Sequence, residues 1–171
     1  MTSSEVLAEA FQRIRDELHP AVNGLSTDQL AFRPDPEANS IAWLAWHLTR
    51  IQDDHVAALE GSEQVWIANG WKDRFALPLS PYDTGYGHDP ETVAKVRVDA
   101  ASLLGYYEEV HQRTADFVAS LGEGDLSRVV DRNWNPPVTV GVRLASVIAD
   151  DLQHVGQAAY VRGMLQRRSK Y

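Results

Sequence analysis

The chain has 171 residues, no cysteine, and 16 Lys and Arg against 24 Asp and Glu, a net charge of −8 at pH 7. That balance, with its charges dispersed, excludes an extended phosphate-binding face, which needs clustered cations to release counterions. The missing thiols exclude disulfides, cysteine nucleophiles and Cys-type zinc sites.

Hydrophobic residues make up 44 % and charged residues 23 %, the proportions of an ordinary globular chain, so one domain over residues 1–171 is expected. The N-terminal stretch is acidic and amphipathic, unlike a signal peptide. No apolar run approaches the roughly 20 residues needed to cross a bilayer. A cytoplasmic protein with neither membrane nor nucleic acid as partner is the expectation.

In chain order, the first predicted helix begins near Ser3 or Ser4 and carries Val6, Leu7, Ala10, Phe11, Ile14 and Leu18 on one stripe, stopping before Pro20. The second follows a turn-rich stretch, with Asn39 or Ser40 as cap, and runs to Gly61 with Ile41, Leu44, Leu48, Ile51 and Leu59 inward. Residues 62–90 are uneven, with one or two helical turns followed by a segment too rich in Pro and Gly to be regular. Trp66, Trp71, Tyr82 and Tyr86 give that segment a high aromatic density, which suits either a substrate wall or a set of pins holding a long loop to the scaffold.

The third predicted helix starts at Asp89, with Pro90 at its first position and Glu91 in its first turn, and extends to about Leu121 before Gly122. Two Val-rich pieces in the next connection suit short extended segments or a crossover loop. The fourth helix is expected from about Val142 to Leu165, ending in a basic tail through Tyr171. Four long helices with long connections after the second and third give an all-α four-helix bundle.

The fourth helix carries an anomaly. Leu144, Val147, Ala158, Val161 and Leu165 define its apolar side, yet Asp150, Asp151, His154 and Gln157 fall on or beside it. Residues four apart are neighbours on a helix, so Asp150 and His154 can point at one atom. His47 lies on the inward stripe of the second helix and can supply a facing ligand. Two imidazoles and one carboxylate make a metal site with open positions. The plainer alternative is a core histidine bonded to a carbonyl, with an aspartate as its partner. His19, His55, His88 and His111 are poorer candidates.

The segments SIAWLAWHLTRIQDDHVAAL and DDLQHVGQ resemble the signature of the DinB-like superfamily, which includes mycothiol-dependent maleylpyruvate isomerases and bacterial thiol S-transferases. The resemblance implies a four-helix bundle holding a divalent metal between its second and fourth helices. It puts the ligands on His47, Asp150 and His154, with Asp151 in reserve. Many relatives have His at the position of Asp150, and the isomerases have Glu.

Nitrogen and oxygen ligands suit zinc, nickel or iron, and zinc is the expected ion. Gln157 becomes a cofactor-site residue, either hydrogen-bonding a ligand or touching substrate, with a packing amide as the plain alternative. The implied activity is transfer of a mycothiol-like or bacillithiol-like thiol to a small electrophile, or isomerisation through a thiol adduct. A metal-dependent hydrolase and a non-catalytic binding bundle use the same ligands. No residue takes an assigned catalytic role. Bundles of this group often pair, so a homodimer is a further expectation.

Overall fold

Each long helix begins where the sequence offers a side-chain acceptor for its first amides. The computed structural model describes residues 1–122 and 124–168. Helix α1 (Ser3–Val22) is capped by Thr2, whose hydroxyl accepts from the Glu5 amide while the Glu5 carboxylate accepts from the Thr2 amide. Contrary to expectation it runs through Pro20. The lost backbone hydrogen bond falls in the last turn, and burial of Ala21 and Val22 offsets it.

A short helix, α2 (Thr27–Leu30), precedes α3 (Ile41–Glu60). Helix α3 starts at Ser40, whose hydroxyl accepts from the Trp43 amide, and stops at Gly61 in the left-handed conformation. Residues 62–89 hold two short helices, α4 (Val65–Ala68) and α5 (Trp71–Phe75), then an irregular loop.

The third predicted helix is two helices. Helix α6 (Pro90–Ala94) is separated from α7 (Ala100–Ser120) by an extended piece in which Val96 and Val98 both point inward. Asp99 then caps α7 through the Ser102 amide. The alternating β-branched residues favour extended backbone, and the new cap restarts the helix.

Next, β1 (Val129–Asp131) pairs antiparallel with β2 (Val138–Thr139), so the Val-rich pieces are short extended segments. Helix α8 (Val140–Arg168) is longer than expected at both ends. Ser169, Lys170 and Tyr171 of the expected basic tail lie outside the described residues.

Helices α1, α3, α7 and α8 form the bundle. Both α1 and α3 pack on α7 and α8, so α1 and α3 face each other across the centre. Phe11, Ile14, Leu44, Leu48, Leu103, Val110, Leu144 and Val147 fill that centre. No helix among the described residues is long and apolar enough to cross a membrane.

Candidate metal centre

Helices α3 and α8 run antiparallel along their seam, so His47 of α3 meets Asp150 and His154 of α8. His47 Nε2 lies 3.9 Å from Asp150 Oδ2, and His154 Nε2 lies 3.6 Å from Asp150 Oδ1. One donor atom from each residue falls within 4.8 Å of the other two. A tetrahedral ion with bonds of about 2.1 Å needs donors roughly 3.4 Å apart, so a small inward movement would close the set.

The outer nitrogens of both rings are engaged. His47 Nδ1–H donates to the Thr84 carbonyl at 2.5 Å, and His154 Nδ1–H donates to Gln157 Oε1 at 3.0 Å. This fixes the tautomer in which each Nε2 keeps its lone pair for the shared space. Asp150 Oδ2 is buried and has no hydrogen-bond partner among the described residues. An orphaned carboxylate oxygen facing two free imidazole nitrogens is the donor set of a divalent cation.

Electrostatics prepares the same set. Burial holds the His47 imidazole below its ordinary range, against the opposing pull of the Thr84 carbonyl and Asp150. Burial would also depress His154, but the Asp150 carboxylate beside it and the hydrogen bond to Gln157 outweigh it and its pKa rises. Burial alone would raise the Asp150 carboxyl, yet His154 and His47 bring it below the usual carboxylate range. His47 is thus held neutral and Asp150 ionised, the forms that bind metal.

Sequence reasoning singled out the loop over residues 76–89 but missed its contacts with His47. Besides Thr84, it contributes Gly85 at φ 91°, where a Cβ would sit 2.8 Å from His47 Nδ1 and 3.0 Å from the Trp46 ring. His88 accepts from Trp43 Nε1 through Nδ1 and donates from Nε2 to Asp83, so neither nitrogen is free. Trp43 stacks on His47 with ring centroids 4.5 Å apart. A backbone carbonyl leaves no side-chain signature. The one legible hint is the pair of glycines, Gly85 and Gly87, on either side of Tyr86.

Of the four aromatics, the two tryptophans are pins and the two tyrosines are not. Trp66 and Trp71 are buried, packed on Phe75 and Tyr106, with their ring N–H groups donating to the Pro81 carbonyl and to Glu109. Tyr82 and Tyr86 are exposed.

Asp151, held in reserve as a ligand, stands outside the donor set. It is fully buried on the inward face of α8, and neither oxygen meets a donor among the described residues. Burial, with Asp150 beside it, pushes its carboxyl well above the usual carboxylate range. It therefore lacks the hydrogen bond from a buried donor that a structural partner would supply. His19 bonds Glu108 and His111 stacks on Tyr107, while His55 pairs loosely with Asp54 and lies near enough to Asp150 to act on it electrostatically, outside the three-residue group.

The family model of the DinB superfamily matches residues 10–158. A crystal structure titled as the conserved protein of a locus from Enterococcus faecalis superposes with a TM-score of 0.89 at 33 % identity, covering 95 % of this chain and 96 % of that one. No functionally curated protein matches the sequence.

Proposed function

The chain belongs to the DinB superfamily, and on that premise we propose that His47, Asp150 and His154 hold one divalent metal ion, zinc before nickel or iron. The proposed activity is transfer of a small thiol, of mycothiol or bacillithiol type, to a small electrophile. Isomerisation through a transient adduct of the same thiol is a variant of it. One observation carries the reading: three metal-type donors converge within 4.8 Å, and the buried Asp150 Oδ2 among them has no hydrogen-bond partner among the described residues.

A divalent ion held there supplies positive charge, only part of which one carboxylate cancels, and so favours the anion of a thiol at neutral pH. The chain's own residues do the rest. Thr84 and Gln157 keep both imidazoles turned with Nε2 toward the shared point. Trp43 covers one face of His47 and keeps water from it. The sulfur comes from a cosubstrate, because the chain has no cysteine.

The test is a cobalt-loaded sample titrated with thiol. Sulfur joining the metal gives a charge-transfer band, and loss of an electrophile should then require both metal and thiol. Turnover without thiol would move the assignment to a hydrolase. No turnover under either condition would leave a binding bundle.

A further inference from the structure

His47 is held at Nδ1 by the Thr84 carbonyl, and a single hydrogen bond fixes a tautomer without fixing the plane of the ring, whose torsion is soft. The plane is set by Trp43, one turn earlier on α3. Its indole lies 4.5 Å from the imidazole at an interplanar angle of 14°. Trp43 also meets His154 edge-on, with centroids 6.1 Å apart and planes at 90°. It therefore packs against the imidazoles of both helices of the seam.

Trp43 is itself held. Its indole N–H donates to His88 Nδ1 at 3.1 Å, and His88 Nε2–H faces both oxygens of Asp83 at 2.9 Å. The Asp83 carboxylate also accepts from the Gly85 amide, and the Asp83 carbonyl accepts from Arg50. An imidazole accepts from an indole only at an unprotonated nitrogen. Asp83, accepting at Nε2, keeps the proton on the far side of the His88 ring.

Burial alone does not account for this chain. Trp46, three residues further along α3, is buried at least as deeply as Trp43, and its indole N–H meets no acceptor among the described residues. It stacks on the same His88 ring. The fold thus accommodates an unpaired indole N–H at this spot, yet gives Trp43 an acceptor backed by a carboxylate. The tryptophan with the partner is the one packed on the donor imidazoles.

We propose that Asp83 and His88 are positioning residues of the metal centre, acting through Trp43 to hold the rings of His47 and His154 with each Nε2 aimed at the shared point. The inference rests on the metal reading above and adds to it the side chains that preorganise its donors. A donor held in place beforehand loses less freedom on binding an ion.

Zinc affinity, by competition with a chromophoric chelator, tests this in wild type, Trp43→Phe, His88→Phe and the double variant, with circular dichroism to verify folding. Each single variant should lose about tenfold, within the range for groups that orient a ligand histidine. The double variant should lose about as much as either alone, because both changes break one chain. His88→Asn, whose amide oxygen can still accept from Trp43, should stay nearer wild type than His88→Phe does. A mere clasp on the loop predicts otherwise. His88→Phe would then lower affinity, and Trp43→Phe, which leaves Asp83 and His88 paired, would not. That result, or additive losses in the double variant, would overturn the proposal. If His88→Phe does not fold, Trp43→Phe decides: unchanged affinity overturns the proposal.

Metal-free protein gives a second readout. His154 lies on α8, and the rings it meets are those of Trp43 and His47. In His88→Phe the ring protons of both His47 and His154 should shift in NMR spectra, because Trp43 is released. Unmoved resonances would overturn the proposal. Wild type that takes up no zinc, with those shifts present, fails the metal reading and leaves the brace standing.

Discussion

Helix α3 carries two polar clusters, one turned to α7 and one to α8, and they are built on different principles. On the flank facing α7, the fully buried Arg50 donates to the Asp83 carbonyl, the Tyr106 hydroxyl, Gln64 and, at 3.5 Å, Asp53. Asp53 in turn accepts from the amides of Val65 and Trp66 and from the Tyr106 hydroxyl. Every charge there is answered within the chain, and the knot fixes α4 and the loop over the metal centre. On the flank facing α8, His47, Asp150 and His154 turn unshared lone pairs toward one point. A closed network stabilises one conformation, whereas an open one awaits a partner.

Breaking the closed cluster should have the larger effect on stability. Asp53→Ala leaves Arg50 buried without its counterion and should cost about 3–5 kcal/mol in urea denaturation. His154→Ala, in metal-free protein, should cost less than about 1 kcal/mol, since it removes an open contact at the surface. Equal losses would erase the distinction between the clusters.

Gly85→Ala probes the link between them. A Cβ 2.8 Å from His47 Nδ1, at a φ that disfavours side chains, must displace the loop and withdraw the Thr84 acceptor. Zinc affinity should fall about 10–100-fold, the cost of losing the group that orients a ligand histidine. Gln157→Leu, which removes the partner of His154 Nδ1, should fall at the lower end, about tenfold. Competition with a chromophoric chelator measures both, and unchanged affinity in either would make that contact incidental.

The smallest effect is in the titration of the metal-free site. His154 should titrate above the ordinary imidazole value of 6.5 and His47 below it. The raised pKa means that His154 stabilises the fold below its unfolded pKa and loses that contribution as pH rises through its folded pKa. His47 has the opposite sign: its contribution is present above its unfolded pKa and is lost as pH falls toward its folded one. Acidification should therefore weaken zinc binding first by protonating His154. Ring-proton NMR reads both groups, and a reversed order would contradict the hydrogen-bond assignments.

The open cluster was legible from the sequence because helix geometry carries it. A four-residue spacing placed Asp150 beside His154, and the inward stripe of α3 placed His47 opposite. Helix projection alone favoured Asp151, the residue nearer the apolar centre. That position points at the bundle interior, whereas Asp150, at the edge of the stripe, reaches sideways to the seam. Ser40 and Gly61 announced the ends of α3 by their chemistry.

The closed cluster was hidden. Its partners come from the amides of Val65 and Trp66 and the carbonyl of Asp83, which only the fold brings to Arg50 and Asp53. The same holds for Thr84, and for the break between α6 and α7, where tertiary burial of Val96 and Val98 prevails over a continuous helical reading.

Metal content is the most direct measurement: zinc per chain after loading and desalting, in wild type and in His47→Ala, His154→Ala and Asp151→Asn, with circular dichroism to verify folding. Wild type and Asp151→Asn should retain one ion per chain, and the two histidine variants should be folded and retain none. Stoichiometric zinc in both histidine variants, or its loss only in Asp151→Asn, would contradict the assignment of His47, Asp150 and His154.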